Sequence, residues 1–432
     1  MHDSGDSANM EIGLEGLSKI EGHADLAIKV TNGKVEYAKL VINENKRFYT
    51  QAVRGKPVAG VAQLVSRICG TCSIAHLTAC TRAAEDAVGV TPTEQTEKLR
   101  KLTMWSLMIR DHMMHLGFFV LPDLYNHDSV FQFESDSEKA LIGSALEVKS
   151  AGNELSKYVA GRAVHAPWMM LGGFSQFPDP AKKHEMLHNL EHAREHALEF
   201  VEIFSNCQWN LQLDTNFVSL VSPDFDFMGG DLETMDGVCI PKKHFFRHLM
   251  RIVIPYSSAT GFTMYGKDYM VGSLSRLNNG RRFLHKDTQR DCAKALSRFP
   301  SRNVYDNNLA QAIEIVHACD AAMEMLESND FLPEAPAQPT KKDGIGIGVI
   351  EAPRGTLYYN LDVMDSKIHE ANLVIPTAQN QIKMEKDMAE MVQKMIDQKK
   401  PKEEIEHWLE VLIRAYDPCM SCATHFLKVK WK

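Results

Sequence analysis

The sequence has no long hydrophobic run. Its best apolar segment, residues 116–121, falls far short of the roughly 18 residues that cross a bilayer, so no direct membrane span is expected. The formal net charge is −8, which argues against a phosphate-binding surface and therefore against a nucleic-acid partner. Residues 1–6 lack the basic and apolar regions of a signal peptide, so a cytoplasmic location is expected.

A disulfide framework is not indicated either, although the chain has nine cysteines. Such frameworks belong mainly to small secreted domains, whereas this chain has 432 residues, 44% of them hydrophobic and 24% charged, as in an ordinary globular protein. Four of the cysteines fall in pairs. The others are isolated and are interpreted as small buried apolar residues: Cys80, Cys207, Cys239, Cys292 and Cys319.

Hydrophobic periodicity predicts a helical core with small β elements at its edges. Asn32-Gly33, between alternating apolar runs, predicts a β-hairpin over residues 24–43. Thr91, Pro92 and Glu94 have the pattern of a helix start in which Thr91 is the N-cap. The helices expected from the pattern cover residues 74–88, 91–119, 137–161, 180–206, 243–252, 287–298, 303–328, 378–398 and 402–416.

A glycine-rich segment at residues 344–348, Gly-Ile-Gly-Ile-Gly, is easily mistaken for a nucleotide-binding loop. Such a loop leads into a helix whose N-terminus holds the phosphate, and Pro353 discourages a helix here. Residues 345–362 are instead expected to form a strand, a tight turn and a second strand. Nucleotide binding by this segment is therefore not expected.

Two Cys-x-x-Cys pairs stand near opposite ends of the chain. Residues 67–76 are Arg-Ile-Cys-Gly-Thr-Cys-Ser-Ile-Ala-His, and residues 417–425 are Asp-Pro-Cys-Met-Ser-Cys-Ala-Thr-His. The pairs are 350 residues apart, so they meet at one ion only if the whole domain folds around it. Four thiolates at one point form a soft site that suits nickel, zinc or iron.

Structural zinc is the simplest alternative, because zinc staples often combine two Cys-x-x-Cys pairs. In those motifs the pairs normally lie within about 15–20 residues of each other. Bringing together pairs that are 350 residues apart costs more loop-closure entropy than forming a local structural zinc site. The spacing therefore argues against a zinc-stapled structural protein.

Together, the two cysteine motifs resemble those of the large, catalytic subunit of nickel–iron hydrogenases. The resemblance implies reversible, heterolytic splitting of dihydrogen into protons and electrons. It also implies a predominantly helical α+β fold with a central bundle of long helices and small peripheral β-sheets. Further segments resemble the family's in the same order along the chain: residues 19–23 (Lys-Ile-Glu-Gly-His), 110–115 (Arg-Asp-His-Met-Met-His), 351–355 (Glu-Ala-Pro-Arg-Gly) and 374–380 (Val-Ile-Pro-Thr-Ala-Gln-Asn).

The resemblance implies one large-subunit domain over residues 1–432. Residues 19–90 would contain the N-terminal hairpin and the first cysteine pair, and residues 91–328 the helical core. Residues 344–425 would contain the Pro-Arg loop and the second pair. Residues 426–432 resemble a short tail that a maturation protease removes, and cleavage is expected here.

The four cysteines are implied to hold nickel and an iron that carries carbon monoxide and cyanide. Cys69 and Cys419 would be terminal ligands of nickel, and Cys72 and Cys422 would bridge nickel and iron. His76 would donate a hydrogen bond to a bridging thiolate and so tune the sulfur.

Arg354 is implied to lie over the open coordination position, with Pro353, Asp111 and Asp417 around it. A guanidinium keeps its positive charge, and carboxylates hold it in place. Dihydrogen splits heterolytically when a Lewis-acidic metal and a nearby base act together. Two candidate bases stay open at this point, a terminal cysteine thiolate and the guanidine group.

Glu21 is implied to be the first proton carrier beside a metal-bound thiolate. Thr377 would donate a hydrogen bond to a cyanide on the iron. His112 and His115 lie one turn apart on a helix, and the resemblance makes them packing or supporting groups rather than ligands.

The chain departs from the family pattern at a second metal site. Family members often bind a magnesium-type ion with the C-terminal histidine, here His425, and with a glutamate in an Arg-Phe-x-Glu segment. The corresponding residues 47–51 are Arg-Phe-Tyr-Thr-Gln and supply no carboxylate. A magnesium ion near His425 is therefore weakly supported by the sequence.

The four paired cysteines leave no cysteine set for iron–sulfur clusters in this chain, so an iron–sulfur small subunit is implied as the electron-transfer partner. Further electron-transfer subunits for a nicotinamide, deazaflavin or disulfide-reducing acceptor also fit the resemblance. Two other members of the wider family are alternatives. A hydrogen sensor would keep the same ligands, whereas the quinone-binding subunit of respiratory complex I has lost the nickel cysteines.

Overall fold

The computed structural model describes residues 9–44 and 48–424. The α-helices are α1 (Tyr49–Ala52), α2 (Val58–Val65), α3 (Ser73–Val88), α4 (Glu94–His115), α5 (Leu121–Leu124), α6 (Asp136–Ala160), α7 (Lys183–Ser205), α8 (Ser273–Gly280), α9 (Lys286–Asp291), α10 (Ala293–Leu296), α11 (Asp306–Ser328), α12 (Pro376–Asp397), α13 (Lys402–Ala415) and α14 (Met420–Ala423).

The strands are β1 (Met10–Leu14), β2 (Ala24–Thr31), β3 (Lys34–Ile42), β4 (Met169–Met170), β5 (Gly173–Phe174), β6 (Asn216–Val221), β7 (Asp231–Thr234), β8 (Cys239–Ile240), β9 (Leu249–Val253), β10 (Thr260–Met264), β11 (Tyr269–Met270), β12 (Gly344–Ala352), β13 (Gly355–Met364) and β14 (Lys367–Val374). They form small sheets around the helices, which confirms the expected α+β fold.

A bundle of long helices, α4, α6, α7 and α11, forms the centre of the molecule. Helix α11 is buried on every side from Asp306 to Ala322, as expected for a helix surrounded by others. Helices α4 and α6 approach closely at Gly152, where a Cβ atom would lie 2.8 Å from the backbone nitrogen of Arg110. The expected central bundle is therefore confirmed.

The N-terminal hairpin is also confirmed. Strands β2 and β3 pair antiparallel up to Thr31 and Lys34, with Asn32-Gly33 between them, and β1 adds to the other side of β2. Residues on alternate positions of β2 are buried, so one face of this sheet packs on the core.

Strands β12, β13 and β14 form an antiparallel sheet against α3. A Cβ atom on Gly346 or Gly348 would lie 2.0 Å from a carbonyl oxygen of α3, that of Ala83 or Ala79. These glycines therefore let a strand lie directly on a helix. The tight turn between β12 and β13 carries Pro353 and Arg354 into the interior.

Two expected helix boundaries are wrong. Thr93, not Thr91, is the N-cap of α4, because its hydroxyl accepts a hydrogen bond from the backbone nitrogen of Thr96 at 3.0 Å. At its other end α4 passes at Leu116 into a π-helical turn that ends at Val120.

Residues 243–252 do not form the expected α-helix. A 3-10 helix spans Lys242–His248, and β9 follows and pairs with β10. The β-branched pair Ile252-Val253 and the hairpin partner decide the conformation, which local periodicity does not reveal. The helix expected over residues 287–298 is likewise divided into α9 and α10.

No helix within residues 9–44 and 48–424 combines the length and the apolar run that a membrane crossing requires.

Candidate metal centre

The four paired cysteines meet in the interior. Cys69 and Cys72 lie in the turn that leads into α3, and Cys419 and Cys422 lie at and within the short helix α14. All four side chains are buried, and their sulfur atoms lie within 4.8 Å of one another. The Sγ atoms of Cys69 and Cys419 are 3.5 Å apart. The predicted convergence of the two motifs is therefore a feature of the fold.

Contacts between the two ends of the chain hold this arrangement. The backbone nitrogen of Met420 donates to the carbonyl oxygen of Glu21 at 2.8 Å. Gly22 has a positive φ of 88°, and a Cβ atom there would lie 2.9 Å from the Cβ of Met420. Glycine is needed at this position because both the conformation and the close approach exclude a side chain.

The donor set fits a soft cation. Hydrogen bonds from the Cys419 and Cys422 thiols lower the pKa of Cys72 to about 6 and that of Cys69 well below its usual value. Burial raises the pKa of Cys419 and Cys422, so protons stay on part of the set. Ionising all four of these buried thiols requires additional positive charge among the sulfurs, which a bound metal would supply.

Arg354 reaches the sulfurs from the β12–β13 turn. Its Nη1 lies 3.1 Å from Cys72 Sγ and donates to Asp111 Oδ2 at 2.6 Å, and its Nη2 lies 3.0 Å from Asp417 Oδ1. Burial alone would lower the pKa of Arg354, but the two carboxylates outweigh it and raise that pKa well above its usual value. The guanidinium is therefore a fixed positive charge beside the cluster.

The two carboxylates are themselves held in place. Gln311 on α11 donates to Asp417 Oδ2 at 2.9 Å. Burial raises the pKa of Asp111 to about 6, and the charge of Arg354 opposes that rise. Both carboxylates are buried, so each depends on Arg354 for its counter-charge.

Glu21 lies on the other side of the cluster. Its Oε2 is 2.9 Å from Cys419 Sγ, and its Oε1 is 3.6 Å from Cys69 Sγ. The backbone nitrogen of Ser421 donates to Oε2 at 3.3 Å. Glu21 is only partly buried, so this carboxylate connects the sulfurs with the surface of the chain.

His76 contacts the fourth sulfur, that of Cys422. Burial lowers its pKa to about 4, so the ring is neutral at pH 7 and carries one N–H. Its Nε2 lies 3.5 Å from Cys422 Sγ, and its Nδ1 lies 2.7 Å from the Tyr359 hydroxyl. With a thiolate at Cys422, Nε2 holds the proton and Tyr359 donates to Nδ1.

A small pocket adjoins the cluster. Thr377, the second residue of α12, lines it, and its hydroxyl accepts from the backbone nitrogen of Cys419 at 2.9 Å. That hydroxyl still has its own hydrogen to donate. Arg354 and His76 line the pocket as well. Apart from the cysteines, the other lining side chains are apolar: Ala352, Leu357, Ile375 and Pro376.

The histidine pair of α4 is used for packing. His112 Nε2 lies 2.9 Å from Glu314 Oε2, and His115 lies 2.6 Å from Gln311 and 2.8 Å from the carbonyl of Arg414. Among the described residues, the four cysteines are the one group of three or more ligand-type side chains arranged to hold a metal. His425 and residues 426–432 lie outside the described residues, as does Arg47.

Sequence reasoning missed a buried arginine that supports the Pro353-Arg354 turn. Arg276 on α8 donates to the carbonyl oxygens of Ala352 at 2.9 Å and Pro353 at 3.0 Å. It also pairs with Glu314 at 2.7 Å and Glu351 at 3.0 Å. Only the fold brings these residues together, so no local pattern signals the contact.

Replacing Arg276 with methionine should therefore destabilise the protein by about 3–5 kcal/mol, since it removes the arginine charge that two buried carboxylates share. The exposed pair between Arg282 and Glu233 is the control, and R282M should cost at most about 1 kcal/mol. Denaturant unfolding of the two variants measures the difference. Equal unfolding midpoints would show that the Arg276 network is not needed.

Four buried thiolates also suit structural zinc, but such a site needs no guanidinium beside its sulfurs, and Arg354 supplies one here. The chain belongs to the nickel-dependent hydrogenase family, whose model matches residues 47–144 and 251–425. It is the large, catalytic subunit of an oxidoreductase that acts on dihydrogen. Its cofactors are nickel and iron, and carbon monoxide and cyanide on the iron are typical of the family.

The similarity to individual relatives covers nearly the whole chain. The alpha chain of sulfhydrogenase 1 from Pyrococcus furiosus is 30% identical, over 97% of this chain and 99% of the relative. A chain of the F420-non-reducing hydrogenase from Methanothermobacter marburgensis is 28% identical, over 96% of this chain and 95% of the relative. A solved NAD⁺-reducing [NiFe]-hydrogenase has the same fold, with a TM-score of 0.86 at 24% identity over 97% of this chain and 100% of that chain.

Proposed function

We propose that this subunit splits dihydrogen heterolytically at a nickel–iron centre that the four cysteines would hold, Cys69 and Cys419 as ligands of nickel alone and Cys72 and Cys422 as ligands shared with iron. The convergence of the four sulfurs within 4.8 Å of one another carries this proposal. When bound, the metal pair supplies the Lewis acid that polarises dihydrogen.

Arg354 holds a positive charge and a set of N–H donors beside the sulfurs that would hold the metal pair. Asp111 and Asp417 fix its two Nη atoms, at 2.6 Å and 3.0 Å. Because both carboxylates stabilise the charged form, the guanidinium keeps its proton. The base is therefore a terminal cysteine thiolate rather than the guanidine.

Of the two terminal cysteines, Cys419 lies closer to a group that can accept its proton. Glu21 Oε2 lies 2.9 Å from Cys419 Sγ, within the distance that proton transfer requires. Glu21 then carries the proton outward, because its side chain is partly exposed. The path contains two groups of this chain, the sulfur of Cys419 and the carboxyl of Glu21.

Replacing Glu21 with glutamine should slow hydrogen–deuterium exchange by about 10²-fold or more, because an amide cannot accept and release the proton. Nickel and iron content should stay unchanged, since Glu21 is not a ligand in this scheme. The exposed Glu15, in the same N-terminal segment, provides the control variant E15Q. Exchange at the parent rate in E21Q would remove Glu21 from the proton path.

Three further side chains shape the centre. His76 donates from Nε2 to the Cys422 sulfur and so lowers the electron density of a bridging thiolate. Thr377 would donate its hydroxyl hydrogen to a cyanide on the iron, and Pro353 closes the turn beside Arg354. The hydroxyl of Thr377 is supported in this role by its contact with the Cys419 backbone nitrogen.

An iron–sulfur small subunit receives the electrons. In the described part of the chain, the remaining cysteines are scattered and form no second metal-binding group. Additional electron-transfer subunits complete the complex, and a maturation protease removes residues 426–432. A cytoplasmic location is part of the same proposal, and it is supported by nine cysteines of which none is in a disulfide.

The native complex tests the function directly. Under hydrogen it should reduce an artificial electron-acceptor dye, and it should exchange deuterium between D₂ and water without any acceptor. Exchange depends only on the large subunit, whereas dye reduction also needs the electron path. A purified, metal-loaded complex that does neither would contradict the proposal.

A further inference from the structure

Four histidines follow one another at every fourth position of α7: His184, His188, His192 and His196. Residues four apart on an α-helix are neighbours on its surface. The opposite side of α7 supplies the core contacts, through residues such as Met186, Leu190 and Ala193. The histidines therefore form a line along the outer side of the helix, far from the metal centre in sequence.

The middle two rings are already in contact. The ring centroids of His188 and His192 are 4.4 Å apart, and the ring planes are nearly perpendicular at 87°. Both side chains are exposed, so they can turn without disturbing the core. Metal–imidazole bonds are about 2.0–2.1 Å long, and two rings one turn apart can reach the same ion.

Negative charge surrounds this pair. Glu185 and Glu191 lie three residues before and after His188, and Glu195 Oε2 lies 3.9 Å from His192 Nδ1. One turn further, Glu147 on α6 lies 2.9 Å from His196 Nε2 and orients that ring. Negative charge beside His188 and His192 favours a cation at these two rings.

We propose that His188 and His192 chelate one divalent cation of the nickel, copper or zinc class on the surface of α7. Imidazole nitrogen prefers these ions over magnesium and calcium, which take oxygen ligands. Water completes the coordination. The chelate is separate from the buried sulfur centre and does not depend on the function proposed for it.

The binding of additional Ni²⁺ to the native complex tests this site. Nickel is the suitable probe, because Cu²⁺ would also oxidise thiols. In a calorimetric titration, the parent should bind Ni²⁺ beyond the content of its buried centre. The double variant H188Q/H192Q removes every neighbouring histidine pair of α7 and should lose that binding while it keeps hydrogen turnover.

A second histidine pair with the same spacing gives a matched control. His244 and His248 are also four residues apart, but they lie in a 3-10 helix, where three residues make a turn and positions four apart do not align. H244Q/H248Q should therefore keep the additional binding. Binding retained in H188Q/H192Q, equal loss in both double variants, or no additional binding by the parent complex would each overturn the proposal.

Discussion

Replacing Cys419 with serine should remove nickel from the purified complex and abolish hydrogen turnover. The Cys419 sulfur lies 3.5 Å from Cys69 Sγ and 2.9 Å from Cys422 Sγ, so it is central to the cluster. A hydroxyl of serine is a hard, weakly acidic ligand and does not replace a thiolate for nickel. Mutation of a group that only supports a metal ligand typically lowers metal affinity by about 10–100-fold. Removing a ligand itself should therefore lower the nickel affinity by more than about 100-fold.

Elemental analysis and dihydrogen oxidation by the same preparation measure this effect. C319S is the matched control, because Cys319 on α11 is a buried free thiol that lies outside the four-sulfur group. It should keep its nickel. A C419S complex that retains nickel and full turnover would refute the assignment of Cys419 as a ligand.

Replacing Arg354 with lysine should reduce turnover by about 10²–10³-fold while the nickel and iron content stays constant. Arg354 contacts Asp111, Asp417 and the Cys72 sulfur with two nitrogen atoms of one planar group. An ammonium is a single point and cannot keep these contacts at once, although it keeps the charge. The loss of turnover in R354K therefore reports how much the orientation of the guanidinium contributes, because the positive charge is kept.

Damage to the fold must be separated from this effect. Arg100 is equally buried and pairs with Glu85 through both Nη atoms, at 2.8 Å and 2.5 Å, in a contact between α3 and α4. R100K therefore reports what a buried arginine-to-lysine change costs in stability. Turnover in R354K that matches turnover in R100K would make Arg354 a structural residue.

The ligands and the charged groups of the centre could be predicted from the sequence because they lie in short motifs. Cys69, Cys72, Cys419 and Cys422 all occur at fixed local spacing, and Glu21 and Arg354 are flanked by recognisable neighbours. Such motifs are local, so one sequence is enough to find them. The roles assigned to the individual side chains stay predictions that the variants test.

The supporting contacts could not be predicted, because they join distant residues. Arg276 reaches the carbonyls of Ala352 and Pro353, and Tyr359 meets His76, only after the chain has folded. An arginine within a helix and a tyrosine within a strand have many possible partners. Tertiary packing, not local pattern, selects among them.

Tertiary context also explains the errors in secondary structure. Residues 243–252 have helical periodicity, yet β9 gains backbone hydrogen bonds and side-chain contacts from β10. Strand formation depends on such partners more than helix formation does. Thr91 and Thr93 are both capable of capping a helix, and the backbone between them decides which one does.

The metal content of the native complex tests the central claim most directly. If the four buried sulfurs hold a nickel–iron centre, elemental analysis should find nickel at about one atom per large subunit, with iron in excess of the amount bound by the small subunit's clusters. Zinc at that stoichiometry in place of nickel, in a complex whose large subunit is intact, would contradict the account.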